Sequence, residues 1–151
     1  MHWAEGRNVF ILDNNAMEKE SSHKKHSDEQ YVASIKHELS HSFFRHVSKA
    51  KNVSFPKWLW EGVAIYTSGQ LVFKRKPTFF ESFLEYYNSG GGKVYEESGF
   101  AVELLVNKFG KQKLLDLIKH LKDTENQEQF DGKFYEIYGI QPSYEEFNKL
   151  S

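Results

Sequence analysis

The sequence predicts an α+β domain that is mostly helical, and three observations carry that reading. From Asp28 onward, apolar residues recur at three- and four-residue spacing over most of the chain. One short apolar run, "RNVFIL", ends at "DNN" and reads as a strand, which is less strand than such a domain usually carries. With 39% hydrophobic and 16% aromatic residues, the 151-residue chain can bury one substantial core, so a single domain over 1–151 is expected.

The elements follow in order. The strand spans Arg7–Leu12, and the polar stretch "NNAMEKESSHKKHSDEQ" has no apolar period and reads as a solvated loop. Tyr31, Val32, Ile35, Leu39, Phe43 and Val47 then recur at helical spacing, with Ser27 or Asp28 as N-cap and an end near Ala50. Pro56 suits a helix start, giving a second helix over Lys57–Ser68. "QLVFKRK" reads as a short strand or a frayed end. Pro77 opens a third helix, "PTFFESFLEYYN", which stops at "SGGGK". A fourth, "YEESGFAVELLVNKF", ends at Gly110, and a fifth follows in "KQKLLDLIKHLKD". Two short helices, "NQEQFDGKFYEIYG" and "SYEEFNKL", close the chain. The domain thus divides into strand and first helix at 7–50, second helix at 57–68 and C-terminal helices at 77–151.

Composition removes several function classes. The net charge is −1 and charges of both signs are interleaved, so there is no electrostatic footprint for nucleic acid or an anionic membrane. No cysteine is present, which excludes disulfides and thiolate metal sites. No apolar run reaches the roughly 20 residues that span a bilayer, so no transmembrane segment is expected. The start "MHWAEGRNVFILDNN" lacks a signal peptide's apolar core. A natural start at Met1 implies a cytoplasmic protein, whereas a fragment of a longer chain leaves secretion or membrane tethering open.

The chemistry concentrates in "SIKHELSHSFF". Positions i and i+4 of a helix share one face, so His37 and His41 can aim their imidazoles at one point. Glu38 lies about 100° around the helix from His37 and three residues before His41, so it can lean over that point without being a ligand. This is the geometry of HExxH, in which two histidines bind zinc and the glutamate is a general base. With seven histidines in the chain, chance spacing or a hydrogen-bonded core histidine is the plain alternative.

A catalytic zinc needs a third protein ligand and a position for water. His46, five positions past His41, faces elsewhere on its helix. Glu61, twenty positions past His41 in "WLWEGVAIY", comes opposite the histidines if the first two helices are antiparallel. Gly62, Ala64 and Ser68 are small enough for the second helix to approach the first closely. Trp58, Trp60, Phe43 and Phe44 read as core rather than pocket lining. "HKKH" (His23–His26) reads as solvated loop rather than a second metal site.

HELSH, followed after nineteen residues by the glutamate of "WEG", resembles the gluzincin zinc metallopeptidases. "PKWLWEGVAIYTSG" is similar to the peptidase MA-like group, related to the M1 aminopeptidases. "YEESGFAVELLVNKFGKQKLLDLIKHL" and "FYEIYGIQPSYEEFNKL" continue the likeness, which runs from about Val9 to the C-terminus. The resemblance implies a zincin-like domain with a small N-terminal sheet and a helical C-terminal part. It implies one Zn2+ per chain, ligands at His37, His41 and Glu61, and a base at Glu38. It also implies that Tyr95, in "VYEESGFAVELL", donates a hydrogen bond to the reaction's oxyanion. The sequence departs from the M1 pattern in two places. "NVFILDNNAMEKE" offers only Met17-Glu18 as an echo of the motif that grips a substrate's free amine. Ile65 stands where some gluzincins have an Asp that orients a ligand histidine, so another group must do so.

The activity implied is hydrolysis of a peptide or protein substrate. An extended substrate pairing with the edge of Val9–Leu12 points to an endopeptidase. An aminopeptidase, a zinc-binding but inactive scaffold and a metal-free helical interaction module are the rival readings.

Overall fold

The computed structural model describes residues 3–5, 8–13, 27–49, 56–85 and 93–151. A two-stranded antiparallel hairpin opens the chain: β1 (Trp3–Glu5) pairs with β2 (Asn8–Phe10) in the register Trp3–Phe10, Ala4–Val9 and Glu5–Asn8. Six α-helices follow among the described residues: α1 (Asp28–Ser48), α2 (Lys57–Ser68), α3 (Val94–Phe109), α4 (Lys111–His120), α5 (Gln127–Tyr138) and α6 (Tyr144–Leu150). The chain is mostly helical, as expected. None of these helices is long and apolar enough to cross a membrane.

Helix α1 begins where the sequence places it. Ser27 is the N-cap, accepting from the Gln30 amide at 3.2 Å while the Gln30 side chain accepts from the Ser27 amide at 3.0 Å. Its buried stripe, however, is not the apolar series expected. Val32, Leu39 and Phe43 are exposed, at 46%, 40% and 68%. The buried positions are Ala33, His41, Phe44 and Ser48. Both series have helical spacing, and the face turned inward is the one that carries the histidines. Phe43 is therefore corrected from core to surface, while Phe44 and Trp58 are core as expected.

Helix α2 is the shaft of the molecule, with eight of its residues buried, including Trp58, Leu59, Val63, Ala64 and Ile65. It packs against α1 on one side and α3 on the other. A Cβ on Gly62 would stand 2.6 Å from the Ser98 carbonyl oxygen and 2.9 Å from a Val102 methyl. A Cβ on Gly99 would meet an Ile65 methyl at 2.4 Å. The close approach permitted by Gly62 is thus to α3, not to α1 as the sequence suggested.

Two expectations after α2 are corrected. Of the short strand or frayed helix end expected at "QLVFKRK", the strand does not form: Gln70–Phe73 is a 3-10 helix directly after α2. The helix expected over 77–88 does not form at 77–85, and 86–88 lie outside the described residues. Side chains from other helices take the amides that a helix would use. Glu97 Oε2 accepts from the Glu81 and Ser82 amides at 2.9 and 3.1 Å. Asn148 grips both polar groups of the Phe80 backbone, and the Tyr144 hydroxyl accepts from the Leu84 amide. Phe80 and Phe83 thereby enter an aromatic cluster with Trp58 and Phe147. Edge-to-face pairs of this kind contribute about 0.5–1.5 kcal/mol each beyond area burial.

The two glycine classes give a test. Gly62→Ala should destabilise by about 1–3 kcal/mol, because the Ser98 carbonyl is backbone and cannot step aside. Gly132→Ala, in α5 with open space around it, should instead stabilise by about 0.4–1 kcal/mol. Urea denaturation of the two variants decides it, and equal shifts would sink the packing argument.

Candidate metal centre

His37 and His41 stand on α1 and Glu61 on α2, and the packing of the two helices brings all three to one point. His37 Nε2 lies 3.1 Å from His41 Nε2. Glu61 Oε2 lies 3.3 Å from the first and 3.6 Å from the second. A tetrahedral ion with metal–ligand distances of about 2.0–2.1 Å requires donors about 3.3–3.4 Å apart. The triangle's edges of 3.1, 3.3 and 3.6 Å scatter about that length. These donors are the cluster with metal-binding spacing found among the described residues.

The protonation states suit a cation. His37 Nδ1 faces the Gln70 side-chain oxygen at 3.0 Å, so Nδ1–H donates and Nε2 is the atom turned to the other donors. Burial above all, followed by the His37 charge, lowers the His41 imidazole to about 4 against the opposing pull of Glu61. His41 is therefore neutral at pH 7. Burial acts most strongly on Glu61 and opposes its ionisation. The contact with His37, the charges of His41 and His37 and the Tyr95 hydroxyl outweigh it and hold the carboxyl below its ordinary value. Glu61 Oε2 is buried and has no hydrogen-bond partner despite standing near both imidazoles. An ionised carboxylate and two imidazole nitrogens within 3.1–3.6 Å of one another form a buried donor set of the kind that could hold a zinc ion.

The surroundings hold the donors in place. Gln70 supplies the orienting contact that Ile65 cannot make; Ile65 is buried against Gly99 instead. The Trp60 ring stacks on the His41 ring at 4.2 Å between centroids and 6° between planes. His41 Nδ1 has no hydrogen-bond partner, so stacking on Trp60 and the Nε2 contact with His37 fix this ring. Trp60, read from the sequence as core, packs against the core and also stacks on a candidate donor, with the Arg45 guanidinium 5.1 Å above its ring centroid.

Tyr95, in the first turn of α3, donates from its hydroxyl to Glu61 Oε1 at 3.3 Å. Burial first, then the Glu61 charge, pushes its phenol up to about 12, so it remains a donor at neutral pH. Glu38 is half-buried on α1, and its charge is felt at the Tyr95 hydroxyl. His46 lies away from the triad and lines a cleft with Val9, Leu39 and Phe43. His23–His26, Met17 and Glu18 lie outside the described residues.

Comparison with known proteins adds no relative. Scans of family profiles, of curated proteins and of solved structures all return no match. The chemistry of this site therefore rests on its own geometry.

Loading tests that geometry. The purified protein should take up about one zinc per chain, and His41→Ala should remove it. Gln70→Ala should keep the three donors but weaken zinc binding about 10- to 100-fold, by freeing the His37 ring. Competition with a chromophoric chelator measures both. Full zinc retention by the His41 variant would defeat the ligand assignment, and unchanged affinity in the Gln70 variant would defeat the orienting role.

Proposed function

We propose that this chain is a zinc-dependent metallopeptidase of the gluzincin type, acting as an endopeptidase. The observation that supports it most is the donor triangle of His37, His41 and Glu61, with edges of 3.1, 3.3 and 3.6 Å. Zinc held by His37, His41 and Glu61 would supply Lewis acidity and lower the pKa of a water toward neutrality.

The chain's own residues supply the rest. Glu38 follows a ligand histidine directly and is the general base: it accepts a proton from the attacking water and passes it to the leaving amine. Tyr95 presents a neutral hydroxyl beside Glu61 and can redirect that hydrogen bond to a developing oxyanion. Trp60 and Gln70 hold the two imidazoles so that the donors need not reorganise. Among the described residues β2 pairs with β1 in a two-stranded sheet, and an extended substrate would add as a strand to this hairpin. The Leu12 carbonyl beyond it is already taken by the Tyr31 hydroxyl at 2.9 Å, so pairing would be confined to the strand itself.

One experiment tests both reaction and specificity. Wild type and Glu38→Gln, each loaded with zinc, are incubated with one unstructured peptide in free and N-acetylated forms, and products are identified by mass. Wild type should cut both forms internally at similar rates. Glu38→Gln should bind zinc normally and lose activity by at least about 10²-fold, the usual scale of a lost general base. Near-wild-type cleavage by the variant would remove Glu38 from the mechanism. Stepwise loss of N-terminal residues from the free form alone would make the enzyme an aminopeptidase. Zinc uptake without cleavage of any unfolded chain would leave a binding scaffold.

A further inference from the structure

A groove of about 610 Å³ lies between the segment that follows the 3-10 helix and the start of α3. One wall is Lys74, Arg75, Lys76 and the exposed Phe79; the other carries Lys93, Glu96 and Glu97. Both walls run into the metal centre along the chain. The first begins four residues after Gln70, which holds His37, and the second, from Lys93 to Glu97, brackets Tyr95, which donates to Glu61.

The charges in this groove are unequally employed. Glu97 is buried and spends one oxygen on the Glu81 and Ser82 amides. Lys93 pairs with Glu81. Among the described residues Lys74, Arg75 and Lys76 form no ion pair within 4.0 Å, and Glu96 is the acidic group that acts on Lys74. Half-burial of the Lys74 ammonium lowers its pKa, so it gains from an anion that enters the groove. Three adjacent cations at the rim of a concave surface, with an aromatic ring beside them, suit a flexible carboxylate-bearing ligand.

We propose that this groove is a substrate subsite for acidic side chains, giving the enzyme a preference for Asp- and Glu-rich peptides on one side of the scissile bond. This rests on the peptidase reading for the word substrate, while binding itself can be measured without catalysis. The concavity favours a peptide over a lipid surface, which would need the cations on a convex face.

The test uses the full chain stripped of metal by chelator. Fluorescein-labelled alanine-based peptides carrying four Glu, four Gln or four Lys are titrated and followed by anisotropy. The Glu peptide should bind at least tenfold more tightly than the other two, and less tightly as salt rises. The triple variant Lys74→Gln, Arg75→Gln, Lys76→Gln should lose that tenfold preference. A control with Lys111→Gln, Lys119→Gln and Lys122→Gln removes the same charge from α4 and the turn after it, and should bind within twofold of wild type. Equal binding by the groove variant, equal weakening by the control, or no preference among the peptides would each overturn the subsite. Tighter binding to phosphatidylserine vesicles than to the Glu peptide, lost in the same variant, would also overturn it in favour of a membrane contact. With zinc restored, the groove variant should lose kcat/KM for the Glu peptide at least tenfold and keep it for the Gln peptide. If no peptide is cleaved but charge-selective binding persists, the catalytic reading fails and the anion groove stands.

Discussion

Helix α2 approaches α3 so closely that Gly62 and Gly99 have no room for a Cβ, and this contact orients everything that bears on the metal centre. Gly62 faces α3, and successive residues turn by about 100° around a helix. Glu61 is therefore directed off the α3 seam toward α1, where the two histidines wait. The same contact brings the first turn of α3 beside Glu61, so that Tyr95 reaches its second oxygen at 3.3 Å. A side chain at either glycine would push α2 and α3 apart. The ligand and the hydroxyl that touches it would then move together.

The centre itself is costly in the absence of a cation. Burying a carboxylate and two imidazoles removes their hydration, and Glu61 Oε2 and His41 Nδ1 receive no hydrogen bond in return. A core built only for stability would place apolar side chains at these positions. The surrounding aromatic packing, with Trp58, Phe83, Phe130, Phe134 and Phe147 fully buried, offsets that cost. The division follows the helix: one face of α2 anchors the fold and the adjacent one carries the chemistry. A metal ion bound by these three donors would add to stability, because the unfolded chain does not assemble them.

The non-helical stretch at 77–85 shows how side chains can outbid helix formation. Its amides are captured by Glu97, Asn148 and Tyr144, all from helices distant in sequence. The exchange satisfies the backbone while placing Phe80 and Phe83 in the core. It also extends the chain past Lys74, Arg75 and Lys76 as the wall of a groove rather than winding them onto a helix. The Glu97 carboxylate, which a sequence reading sees only as an early-helix charge, thus positions a segment that runs between the metal centre and the groove.

Sequence alone determined the helices whose signals are local. Ser27 with Gln30 set the start of α1, Pro56 the start of α2, and the breaks at Gly110 and Gly139 the ends of α3 and α5. It also determined the candidate donors, because His37 and His41 share a face by helical geometry alone. It left undecided which of two helically spaced faces of α1 turns inward, since apolar content favoured Val32, Leu39 and Phe43 while the fold buries the histidine side. Gln70 on His37 and Trp60 on His41 carry no spacing signal, because a 3-10 turn and an inter-helix stacking contact create them. The helix lost at 77–85 was equally out of reach. Local propensity is a sum over neighbours in the chain, whereas hydrogen bonds from Glu97 and Asn148 act across 15 to 68 residues and exist only once the helices have packed.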